Sequence, residues 1–119
     1  YAVMEGVSFG LMDGLRAMGQ TEASNVPLAL VGGGARSDAW AQLLASGLAC
    51  PLHRPEGAHA AAALGAARLA WLADGGTEQE VCQPLPTAQA FAPEPGLREL
   101  LAERYPRYRA LYPALRDFF

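Results

Sequence analysis

Leu30-Val31-Gly32-Gly33-Gly34-Ala35-Arg36-Ser37-Asp38 is the stretch on which the reading of this chain turns. It follows Pro27-Leu28-Ala29, so the apolar run Pro27–Val31 ends in three glycines, as a fully buried strand would. Glycine tolerates positive φ and lets a ligand approach the backbone closely. Ser37 stands where a helix N-cap belongs, its hydroxyl able to accept from a free backbone N–H. Behind it, Ala39–Ala49 sets Trp40, Leu43, Leu44 and Leu48 on one helical face. Cys50-Pro51 ends that helix and starts a second short strand, Pro51–Arg54. Two strands joined by a helical crossover form a right-handed βαβ unit with parallel strands. The glycine turn then lies at the carboxyl end of a strand and the positive end of a helix, where α/β sheets bind anions and nucleotides. The plain alternative is a tight turn with no ligand.

Working outward, Val3, Val7, Leu11, Leu15 and Met18 recur at three and four, which predicts a helix over 2–18 with that stripe buried. Gly6, Gly10 and Gly14 form a neighbouring row. Each weakens a helix by about 0.8–1 kcal/mol, so the row suggests a second backbone packed close by. Gln20–Pro27 reads as a polar turn. Ala58–Ala73 is an alanine-dense helix around Leu64, Leu69, Trp71 and Leu72, ended by Gly75-Gly76. Thr77-Glu78-Gln79-Glu80 has capping-box spacing and predicts a short helix. Residues 83–96, rich in Pro and Ala, read as a linker. Leu97 to Leu115 keeps helical spacing again, with Pro106 and Pro113 expected to kink or divide it. The organisation expected is therefore 1–76 as the main unit, 77–96 as a linker with a short helix, and 97–119 as a helical tail. Two strands alone leave faces and edges uncovered, so this unit is expected to be part of a longer chain.

The 119 residues are 51 % hydrophobic and 18 % charged, which excludes disorder. No apolar run reaches the roughly eighteen residues that a membrane span needs. The net charge of −3 argues against a general nucleic-acid binder. All nine basic residues are arginine; four face nine acids in 1–95, and five face three acids in 96–119. Cys50 and Cys82 form no C-x-x-C and read as free thiols of a reducing compartment, hence a cytoplasmic protein. Cys50, His53 and His59 lack zinc-site spacing, and no metal ligand is assigned.

Gly32–Ser37 fits neither dinucleotide fingerprint nor P-loop: Ser37 replaces the third glycine, and the chain has no lysine. The residues do resemble those of a known family, the FGGY carbohydrate kinases. AVMEGVSFGLMDGL (2–15) resembles the family's A-V-x-E-G-V-x-F-x-L-x-D helix. VGGGARSDAW (31–40) resembles its adenosine-binding loop, and RPEGAHAAAALGAARLA (54–70) its P-E-x-x-x-A-x-G-A-A segment. YRALYPAL (108–115) is similar to the tail of the xylulose kinases within it.

The resemblance implies an α/β fold, the C-terminal portion of an actin-like, ribonuclease-H-like ATPase domain with few parallel strands and covering helices. It implies ATP and Mg2+ as cofactors, with the γ-phosphoryl passing to a sugar hydroxyl, D-xylulose giving D-xylulose 5-phosphate. Gly33, Gly34, Ala35, Ser37 and Asp38 would bind the nucleotide. Glycerol kinases have Asn where Asp38 stands. The catalytic Asp and the sugar contacts would lie upstream, so Asp13, Asp38 and Asp74 are not assigned as base, and the 119 residues alone are expected to be inactive. Partners implied are sugar and ATP through the full-length chain, with no nucleic acid or membrane; a homo-oligomer is compatible. The alternatives are another FGGY sugar kinase (glycerol, ribulose or gluconate) and a non-enzymatic interaction module. Glu5 is read as structural, Glu56 as a solvated loop acid. The tyrosines between Arg104 and Tyr112 are expected to pack inward while the arginines snorkel.

Overall fold

The computed structural model of the chain describes residues 1–19 and 26–118. Helix α1 spans Ala2–Ala17 and strand β1 Leu28–Ala29; a 3-10 turn, Gly33–Arg36, leads into α2, Asp38–Leu48. Strand β2 is Leu52–Pro55, and a second 3-10 turn, Ala58–Ala60, precedes α3, Ala61–Ala73. Then come α4 (Glu78–Val81), β3 (Thr87–Phe91), α5 (Pro95–Leu115) and a final 3-10 turn, Arg116–Phe118. Residues 20–25 of the expected polar turn lie outside the described residues.

The βαβ unit forms as expected. β1 and β2 are parallel, with Leu28 opposite Leu52 and Ala29 opposite His53, and α2 crosses between them. β1 is shorter than expected, and both its residues are exposed rather than buried. It is an edge strand: the sheet order is β1-β2-β3, so nothing among the described residues pairs with its outer side. The larger correction is β3, inside the stretch expected as a linker. Thr87–Phe91 runs antiparallel to β2, pairing Leu52 with Phe91, His53 with Ala90 and Arg54 with Gln89. Pro84, Pro86 and Pro93 bar a helix here, and all three lie outside the strand, so its ladder to β2 loses no donor. The result is a small mixed three-stranded sheet.

Helix α2 is the centre of the molecule. One side carries Ala41, Leu44 and Ala45 onto Leu52 and Phe91 of the sheet. The other presents Leu43 to Phe9 and Met12 of α1 and to Leu101 and Tyr105 of α5. The Phe9 ring lies 5.5 Å from that of Tyr105 and 5.3 Å from that of Tyr108, both tilted. Helix α2 ends at Ala49, whose φ of +50° is left-handed, and Cys50 N–H returns to the Ala45 carbonyl. Cys50 is buried and Cys82 exposed; both are free thiols.

The stripe of α1 that faces inward is not the one expected. Ser8, Phe9 and Met12 are buried, whereas Val3, Val7, Leu11 and Met18 are exposed. Polar pairs fix this rotation: Arg104 donates to Glu5 at 2.9 Å, and the Tyr105 hydroxyl donates to Asp13. Glu5 is thus structural, as read. Gly6 and Gly14 face open space, and only Gly10 of that row meets a neighbour, the Tyr108 hydroxyl at 3.6 Å from a Cβ built there.

The capping box of α4 forms between Thr77 and Glu80. Helix α3 has no buried residue; Leu69 and Trp71 stay exposed. Helix α5 continues through Pro106 and Pro113 rather than dividing there. Both prolines lie on exposed positions, so the carbonyls they orphan face water, while Leu101 and Tyr105 anchor the opposite face. Tyr105 packs inward as expected, but Tyr112 is exposed. No helix among the described residues is long and apolar enough to cross a membrane.

Candidate functional site

The two parallel strands each run into a loop at the carboxyl end, and these loops pack on one another. After β1 the chain enters Gly32 at φ +91°, a conformation open to glycine, and Gly32 N–H donates to the Ala58 carbonyl of the second loop at 2.8 Å. The 3-10 turn Gly33–Arg36 follows, then Ser37, whose hydroxyl accepts from Trp40 N–H at 3.3 Å as the predicted N-cap of α2. Between the loops lies an open cleft of about 290 Å³, lined by Ala35, Arg36, Arg54, Glu56, His59 and Ala88 among others. Glu56 is exposed at its rim.

The five residues expected to bind the nucleotide are brought together, and they occupy different environments. Gly33 is exposed, and a Cβ there would meet nothing. A Cβ on Gly34 would collide with the Trp40 ring, so this glycine makes room for the indole. Ala35 is 1 % exposed. The Ser37 hydroxyl is engaged by the cap. Asp38 is ion-paired with Arg54 at 2.8 Å and also accepts from Gln89 at 3.4 Å. The hydrogen bond from Arg54, followed by that from Gln89, holds the Asp38 carboxyl below its ordinary pKa.

Sequence reading missed three residues that shape this site. Arg54 donates to the Ala35 carbonyl at 2.7 Å, to Asp38 and to Gln89. Its guanidinium lies 5.6 Å over the Phe91 ring. Gln89 sits on β3, in the stretch read as a linker. Trp40 covers Gly34 while its indole N–H donates to Ser8 on α1 at 3.2 Å. The one available signal was the alternation Thr87-Ala88-Gln89-Ala90-Phe91.

Gly33 faces open space, and the cleft borders the far end of the same turn at Ala35 and Arg36. Among the described residues no three His, Cys, Asp or Glu side chains converge.

Residues 1–73 match the C-terminal domain of the FGGY family of carbohydrate kinases. Over 116 residues the chain is 34 % identical to the xylulose kinase of Escherichia coli (strain K12), covering 96 % of this chain and 24 % of that protein. The structure is similar to that of a xyloylose kinase from Brucella ovis, with a TM-score of 0.77 and 38 % identity over 99 % of this chain and 25 % of that one. It is also similar to a ligand-bound xylulose kinase from Lactobacillus acidophilus, with a TM-score of 0.71 and 26 % identity over 97 % and 24 % of the two chains. The chain spans 20–24 % of the length of the curated relatives it matches.

Proposed function

The chain belongs to the FGGY family of carbohydrate kinases, and from that premise we propose that it is the nucleotide-side C-terminal segment of an ATP-dependent kinase converting D-xylulose to D-xylulose 5-phosphate. On this reading the mixed three-stranded sheet is a portion of an actin-like, ribonuclease-H-like ATPase domain. The observation that carries it is the pairing of the glycine turn with the Glu56–Ala60 loop across one cleft, at the carboxyl ends of two parallel strands. The sugar assignment is supported by the relatives, which bear xylulose kinase names over nearly the whole of this chain.

In this reading Gly33 gives the nucleotide its closest backbone approach, and Gly34, Ala35, Ser37 and Asp38 set the shape of the turn. Phosphoryl transfer depends on positioning and on a group that accepts the hydroxyl proton. Asp13 accepts from Tyr105 and Asp38 from Arg54, and neither is assigned as that base. The base, the metal ligands and the sugar contacts are assigned to the rest of the full-length protein.

The test is ATP-dependent phosphorylation by the full-length protein, offered D-xylulose, glycerol, D-ribulose and gluconate in parallel. A strong preference for D-xylulose is expected. Preference for another sugar would cancel the substrate while keeping the loop assignment. Absence of both turnover and ATP binding would overturn the kinase reading.

A further inference from the structure

We infer that Arg54 is a positioning residue of the glycine loop, a strut that fixes the Gly33–Arg36 turn against β2 and β3 so that its open face is formed before the nucleotide arrives. The inference rests on the reading of that loop as nucleotide-facing, and deepens it.

The turn is held at two points. At its entry Gly32 N–H is bound to the Ala58 carbonyl. At its exit the Ala35 carbonyl accepts from Arg54 Nη1, and the same nitrogen donates to Asp38 Oδ1 on the first turn of α2. Gly33 and Gly34, the residues with least intrinsic preference for one backbone shape, lie between these anchors. Arg54 Nη2 meanwhile donates to Gln89, its own register partner on β3, and Gln89 in turn donates to Asp38 Oδ2. Three segments distant in sequence thus close a ring around one guanidinium, whose planar fork suits several acceptors at fixed angles; an ammonium in its place would be a point charge without that geometry.

The strut is not needed to hold these elements together. Ser37 already caps α2, the backbone ladder already pairs β2 with β3, and the buried faces of α2 already join sheet and helices. What Arg54 adds is the orientation of the peptide after Ala35, at the end of the turn. A loop ordered before binding loses less freedom when it meets its ligand, so loosening it weakens ligand binding more than chain stability.

The experiment uses the full-length protein with Arg54→Lys, Gln89→Leu and Gly33→Val, reading KM for ATP, KM for the sugar, kcat and the thermal midpoint. Arg54→Lys is expected to raise KM for ATP about tenfold, the effect of losing one charge-assisted hydrogen bond, with sugar KM and midpoint little changed. Gln89→Leu, which leaves Arg54 in place with one acceptor fewer, should raise it by about twofold by the same conversion. If Gly33→Val raises KM for ATP but neither other variant does, the strut is refuted and the loop assignment stands. If none of the three moves KM for ATP, the loop assignment falls and takes the strut with it. A fall in midpoint accompanied by parallel changes in both KM values and kcat would assign Arg54 to general stability and overturn the inference.

Discussion

The indole of Trp40 lies against Gly34 so closely that a Cβ on the glycine would collide with the ring. Gly34→Ala therefore overpacks the start of α2 and is expected to cost about 1–3 kcal/mol. Gly33→Ala, next to it and facing open space, should change stability by less than about 0.5 kcal/mol. Denaturant unfolding of the two variants in the full-length protein checks this. Equal stabilities would mean that the indole readily gives way.

The same indole is tied to the far side of the molecule. Its N–H donates to Ser8, which is 1 % exposed and itself donates to the Met4 carbonyl at 2.8 Å. Ser8→Ala leaves the half-buried indole donor without its acceptor and should cost about 1 kcal/mol. In a Trp40→Phe background the donor is gone, and the same substitution should cost distinctly less. Additive costs in a double-mutant cycle would dissociate the two residues.

Ala49 adopts a left-handed conformation at the end of α2, at φ +50°. Helices commonly end this way on glycine, which avoids the Cβ clash that alanine suffers. Ala49→Gly is expected to raise stability by about 0.5–1 kcal/mol. An unchanged or lower midpoint of denaturation would show that the gain is cancelled in the unfolded chain.

Tyr105 offers a pH-dependent check. Burial, reinforced by the hydrogen bond donated to Asp13, raises its pKa above the ordinary 10.0. A raised folded value means that the stabilising contribution is complete below pH 10 and is lost as pH climbs through the folded value. Tyr105→Phe should be less stable by about 1 kcal/mol at neutral pH, having lost the bond to Asp13. Above pH 10 its stability should fall less steeply than that of the parent, and the gap should close. A constant gap across pH 9–12 would mean that the hydroxyl titrates alike in both states.

What could be read from the sequence was what is decided locally. Ser37 and Thr77 announce their caps by the residues within three positions of them, and the order strand, glycine turn, helix follows from composition alone. Helix α1 was legible as a helix but not in its rotation. It carries apolar residues on more than one face, and the choice between Val3-Val7-Leu11 and Ser8-Phe9-Met12 is made by Arg104 and Tyr105, about a hundred residues away. Strand β3 was hidden for a similar reason: flanked by prolines, it becomes a strand only because β2 offers it a ladder. The Arg54, Asp38 and Gln89 ring is dispersed over three segments, so no spacing in the sequence marks it.

The contacts between α1 and α5 have a consequence for the order of events during synthesis. Glu5 and Asp13 await Arg104 and Tyr105, partners 99 and 92 positions further along. At ordinary translation speeds that is a wait on the order of ten seconds, during which Phe9, Met12 and Leu43 lack the cover that Leu101 and Tyr105 later give. A nascent chain stalled before Pro95 would thus display an apolar face still waiting for its cover. That cover arrives only with α5, the last described α-helix to leave the ribosome.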